Sequence, residues 1–191
     1  MTTIDKRAPM ASAPLKYRED GEVDWGNMWD SFCALALDGG PPHRGTMLEV
    51  PTIVETEDEA YQRVVAEICR GIGEVSGLSA NAAEPGWVAI QCQDVAMARW
   101  LSEAIVEENV RARYQGTILC VPAGASYTVK GEIKNVITAV AKTSHYWNEH
   151  LANEIKQTVA VQAHLDAFGS RLRRWLGRGG KPKNRAPRTE H

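Results

Sequence analysis

The sequence predicts an α/β protein: a small mixed sheet of three or four strands, helices packed on it, and a long C-terminal helix. Three observations carry this. Apolar residues recur at helical spacing in several separate stretches. Between them lie short apolar or alternating runs bounded by Pro and Gly, which read as strands. Finally, 191 residues suit one domain with unstructured ends.

The elements follow in order. Residues 1–21 mix Thr, Pro, Ala, Ser and charge without periodicity and are expected to be disordered. Asp24 then caps a short helix whose apolar positions are Trp25, Met28, Trp29, Phe32, Cys33 and Ala36, ended by Gly39-Gly40. A short strand is expected over Thr46 to Val50. Thr56-Glu57-Asp58-Glu59 reads as a capping box with Thr56 as N-cap. The helix it starts would bury Tyr61, Val64, Val65, Ile68, Ile72 and Val75 and close at Gly77.

Pro85-Gly86 marks a turn, and Trp87 to Cys92 a strand. Asp94 caps the next helix, with Met97, Trp100, Leu101, Ala104 and Ile105 inside. Val110 to Gln115 and Thr117 to Val121 read as a hairpin about Gly116. The strand–helix–strand crossover is expected to place two strands parallel and right-handed, with the Gln115-Gly116 hairpin adding an antiparallel partner, in the manner of an incomplete ferredoxin-like sandwich. A long helix starts near Lys130, with Ile133, Val136, Ile137, Val140, Ser144, Trp147 and Leu151 as its core stripe. The expected domain covers 22–168, and 169–191 is expected to be a basic disordered tail.

Charge is unevenly spread. Residues 171–191 hold eight basic residues against one acid, a net of +7, which leaves −9 on the other 170 residues of a chain whose total is −2. Such a tail is suited to phosphates, and Trp175 to stacking on a base. No early apolar segment resembles a signal peptide, and no apolar run approaches the length of a membrane span. The expected location is cytoplasmic. The four cysteines, Cys33, Cys69, Cys92 and Cys120, have no CxxC spacing and read as reduced thiols.

Two segments stand out chemically. Gly39-Gly40-Pro41-Pro42-His43-Arg44-Gly45 is stiff at its prolines and adaptable at its glycines. Arg44 offers a planar fork to a carboxylate or phosphate, His43 a proton carrier, and Gly40 and Gly45 close backbone approach. On the long helix, Asn135, Thr138, Lys142, His145 and Glu149 step by three or four and are expected to share a polar face. Lys142 and His145 there are anion ligands or acid–base groups. His145 and His150, five apart, fall about 140° out of phase on an α-helix, so no metal site is expected from them. The HExxH pattern is absent, and zinc would need His43, His145 and Cys92 or Cys120 together. Glu107 and Glu108 read as a solvated helix end.

Three functions compete. The first is an enzyme for a small anionic metabolite, using His43, Lys142 and His145 as catalytic groups and Arg44, Gly40, Gly45, Asn135 and Thr138 as ligand contacts. The second is a non-catalytic accessory protein for metal delivery or assembly, with Trp25 and Trp29 as partner anchors. The third binds nucleic acid through residues 171–191.

Overall fold

A computed structural model describes residues 15–28, 46–151, 156–159 and 162. Its elements are α1 (Glu59–Ser76), β1 (Ala80–Ala82), β2 (Trp87–Gln91), α2 (Val95–Glu107), β3 (Arg113–Gln115), β4 (Ile118–Pro122) and α3 (Lys134–His145). Wider π turns flank α3 at Val129–Ile133 and Tyr146–His150. The predicted class holds: four strands carry helices, in the order β1-β2-β4-β3.

Each neighbouring pair of strands is antiparallel. β2 and β3 run the same way, as the helix between them requires, but β4 is inserted between them. This is a split β-α-β unit. Among the described residues the parallel pairing found is an isolated bridge, Leu48 to Val110, where the Thr46–Val50 strand was expected. β1 escapes the sequence reading because Ala-Asn-Ala has little strand preference of its own. It is held by its register on β2, with Ala80 opposite Ile90 and Ala82 opposite Val88.

Alternation sorts the sheet's faces. Val88, Ile90, Leu119 and Val121 are fully buried, while Ala89, Gln91, Ile118 and Cys120 turn to the other side. α1 packs on β1 and β2, α2 on β3 and β4, and α3 lies along α1 and α2. α1 buries the six predicted apolar residues and also Gly71. Its N-cap is Asp58, not Thr56: the Asp58 carboxylate accepts from the Ala60 N–H at 2.8 Å. The Asp58 N–H is taken by a turn from Glu55, so the helix starts two residues late. Asp94 caps α2 as expected, accepting from the Met97 N–H at 2.7 Å. At Pro85-Gly86 the glycine has φ +86°, where a side chain would be strained.

Residues 15–21 do not belong to a disordered segment. Tyr17 bridges Val23, Leu15 packs against the core, and the Arg18 guanidinium meets Glu74 of α1 at 2.8 Å. Trp25 follows in this turn and is fully buried against α1, its indole N–H donating to Glu67 at 2.8 Å. That overturns Trp25 as an exposed partner anchor. Trp29 lies outside the described residues, as do residues 1–14 and the tail from 163. Among the described residues no helix is long and apolar enough to cross a membrane.

Candidate functional site

α3 was expected to be buried on one face, but it is buried nearly all round. Val136 to Ala141 are all buried, and so are Lys134, Thr143 and Ser144. α1 and α2 flank the helix, and Met28 of the N-terminal turn reaches Thr138. The expected polar face is correspondingly cut down. Thr138 is buried, and its hydroxyl donates to the Lys134 carbonyl one turn back. Burial also pushes the Lys134 ammonium below its ordinary range.

Lys142 is ion-paired with Glu108, whose side chain is only 10% exposed. Glu108 is thus a packed partner rather than a solvated helix end. Asn135 is half-buried at the far end of the helix. Ten residues separate it from His145, about 15 Å along an α-helix, which is too far for one small metabolite to touch both. Of the five predicted side chains, His145 and Glu149 remain at the exposed C-terminal end. His43, Arg44, Gly40 and Gly45 lie outside the described residues.

The C-terminal end of α3 differs most from the sequence reading. After His145 the helix widens, and the Leu151 N–H donates to the Tyr146 carbonyl five residues back, at 3.0 Å. A π turn brings positions five apart onto nearly one side, where an α-helix would splay them. The imidazoles of His145 and His150 accordingly meet edge to face, with centroids 5.2 Å apart and planes at 74°. This corrects the phase argument made from 3.6 residues per turn.

Aromatic rings surround the pair. Tyr146 stacks on Trp100 of α2 at 5.8 Å with planes 5° apart, and it lies 5.6 Å from the His150 ring. Trp147 is buried behind them, tilted against Trp100. Tyr146 is nonetheless 49% exposed. The result is a solvent-facing patch of two imidazoles and a phenol, backed by two indoles. The sequence reading missed Tyr146 and the role of Trp100, and it set His150 apart from His145. The available signal was the five-residue His spacing, which makes sense only on a π turn.

Elsewhere, two of the hollows among the described residues hold cations that are already engaged. A groove of about 610 Å³ runs between α1 and the Val129–Ile133 turn, lined by Arg63, Val64, Glu67, Arg70, Tyr127 and Ile133. Its central cation, Arg70, already donates to Glu67, Glu74 and the Val23 carbonyl. On the open face of the sheet a hollow of about 460 Å³ includes Glu84, Ala89, Arg113 and Cys120. There Arg113 pairs with Glu84 and lies 4.4 Å above the Trp87 ring.

The described thiols are poor nucleophiles. Burial, aided by the charge of Asp94, pushes the Cys92 thiol up to about 12. Burial also raises Cys69 and Cys120, although Arg113 draws Cys120 back down. Cys92 should resist alkylation in the native protein under conditions that label the half-buried Cys69 and Cys120. Its folded value lies above the ordinary 9.0, so the unfolded chain releases this proton first. Stability should therefore fall between pH 9 and about 12, by up to about 1.4 kcal/mol per pH unit from this one group. Urea melts of wild type and Cys92→Val at pH 8 and 10.5 isolate it; equal alkaline losses in both would refute it.

Among the described residues no three of His, Cys, Asp and Glu form a metal-holding group; the zinc set of His43, His145 and a cysteine includes His43, which lies outside them. Comparison with known protein families and with curated proteins finds no match to this chain.

Proposed function

We propose that this chain is a non-catalytic accessory protein that holds a ligand at the imidazole–aromatic end of α3. The observation that carries this reading is the meeting of His145 and His150 across the π turn, beside the exposed ring of Tyr146. π turns interrupt regular helices at a cost in hydrogen-bond geometry and recur at functional sites. Half-exposed aromatic rings that are already stacked lose little freedom on binding, which favours recognition.

The enzyme reading is less well supported. It asks Lys142 and Thr138 to serve a substrate, yet Glu108 holds one and backbone packing covers the other. What remains of it is the His43-Arg44 loop.

A thermal-shift screen of the full chain against phosphates, carboxylates and divalent metals tests the proposal. A ligand bound to the native state raises the midpoint, by about 2.7 kcal/mol of stability at a hundredfold excess over Kd. The expected result is a ligand whose effect disappears in the His150→Ala/Tyr146→Ala double variant. If the shift instead survives there and vanishes in His43→Ala or Arg44→Ala, the site belongs to the Gly39–Gly45 loop and the enzyme reading replaces this one.

A further inference from the structure

We infer that His145 and His150 chelate a divalent first-row transition ion of the zinc, nickel and copper group. This rests on the reading of the α3 end as a binding surface and names its ligand. Neutral imidazole is the side chain best matched to these ions, which prefer nitrogen to the carboxylate and carbonyl oxygens that suit magnesium and calcium.

The geometry is the second argument. On a tetrahedral ion with metal–nitrogen distances of about 2.0–2.1 Å, two imidazole rings stand with centroids roughly 5 Å apart. The observed separation is 5.2 Å. An α-helical turn would not bring residues five apart to this distance; the π turn does. The π turn therefore sets the two imidazoles side by side without rearrangement of the helix.

The charges around the pair are mixed. Lys142, toward the N-terminus, is paired with Glu108, and Glu149 adds a carboxylate to the same exposed turn, while the Lys156 ammonium lies 5.5 Å from the centre of the Trp147 ring behind the patch. Tyr146, pinned flat on Trp100, walls one side of His150 and restricts its ring. Holding the ring in place lowers the freedom that it loses on binding.

Among the described residues no third His, Cys, Asp or Glu completes the set. Two protein nitrogens leave the other positions to water or to donors of a second protein. Structural zinc sites are closed by four protein ligands, whereas a site with fewer leaves positions for water or another donor. The assigned chemistry is therefore capture of an ion with open coordination positions, which is compatible with the accessory reading.

The test is calorimetric titration of the full chain, without an affinity tag, with zinc and with nickel, alongside NMR of the imidazole ring protons. Binding of one ion per chain is expected, with the His145 and His150 ring signals moving or broadening. His150→Ala and His145→Gln should each weaken binding at least about tenfold, the loss seen even when only an outer partner of a metal ligand is removed. His164→Ala and His191→Ala should bind like wild type. His150 is exposed, so its replacement leaves the fold intact, which far-UV circular dichroism checks.

Absence of binding for both ions, or binding unchanged in both α3 variants, would overturn the assignment. So would loss of binding in His191→Ala. A non-metal ligand that depends on His150 and Tyr146 in the thermal screen would end the metal assignment while leaving the surface reading in place.

Discussion

Replacing Trp25 by alanine is expected to destabilise the protein by about 3–5 kcal/mol, the range for a fully buried large aromatic side chain. Trp25 has no solvent exposure, and its ring edge lies against α1 at Gly71. Truncation leaves a cavity that the turn cannot refill. Two further residues of this short segment are already committed: Val23 is buried, and Arg18 is tied to Glu74. Against a typical whole-domain stability of about 5–15 kcal/mol, this is a fifth or more of the total. Tm should fall by roughly 6–20 °C.

The Trp25 indole hydrogen bond can be separated from its packing. Glu67 accepts from Trp25 and is also gripped by Arg70 at 2.7 Å, so losing the indole does not orphan the carboxylate. Trp25→Phe therefore keeps most of the apolar contact and should cost clearly less than Trp25→Ala. Urea denaturation of both variants gives the comparison. A Trp25→Ala protein that stays folded and melts within about 1 kcal/mol of wild type would reject Trp25 as core and revive it as a partner anchor.

The Trp25 result bears on what was legible in the sequence. Trp25 was read correctly as an apolar position, and its partner role was the error; the rest of the short helix expected to follow Asp24, from Trp29 on, lies outside the described residues. A tryptophan near a chain end looks the same on paper whether it faces its own protein or another. What decides is α1, 42 residues away, and periodicity carries no information about that pairing. Local signals fared better. The α1 stripe from Tyr61 to Val75, the Asp94 cap and the Pro85-Gly86 turn all depend on residues close in sequence, and all three are present.

The failures share one cause, an assumption about surroundings or pitch. Thr138 was placed on a polar face because α3 was taken to have one buried side, but neighbours on two sides cover it. His145 and His150 were separated because 3.6 residues per turn was applied through a segment that widens. Glu108 seemed solvated because its partner, Lys142, lies 34 residues on. The candidate site was thus half legible: His145 was named, but the geometry that gives it a companion was not.

The tightest packing in the described fold yields the second large effect. Gly71→Leu is expected to destabilise by about 3 kcal/mol or more, at the upper end for overpacked cores. Gly71 lies mid-helix, where glycine is normally unfavourable by about 1 kcal/mol against alanine. It is tolerated because α1 and α3 meet there. A Cβ at Gly71 would sit 2.2 Å from Ile137 Cδ1, 2.9 Å from its Cγ1 and 3.1 Å from Trp25 Cδ1. Ile137 and Trp25 are both fully buried and cannot swing into solvent. Even Gly71→Ala should lose its helix-propensity gain to this clash and come out destabilised by about 1–2 kcal/mol.

A double-mutant cycle identifies the clashing atom. Ile137→Val removes Cδ1, the atom closest to the added methyl group, and alone should cost about 0.5–1.5 kcal/mol. Combined with Gly71→Ala it should cost less than the sum, by at least about 0.5 kcal/mol, because the new methyl fills the space the old one leaves. Strict additivity would mean that the helices separate to admit the methyl rather than collide with Ile137. A Gly71→Ala protein more stable than wild type would mean that helix propensity outweighs the contact, and that α1 and α3 are not held as closely as their geometry implies.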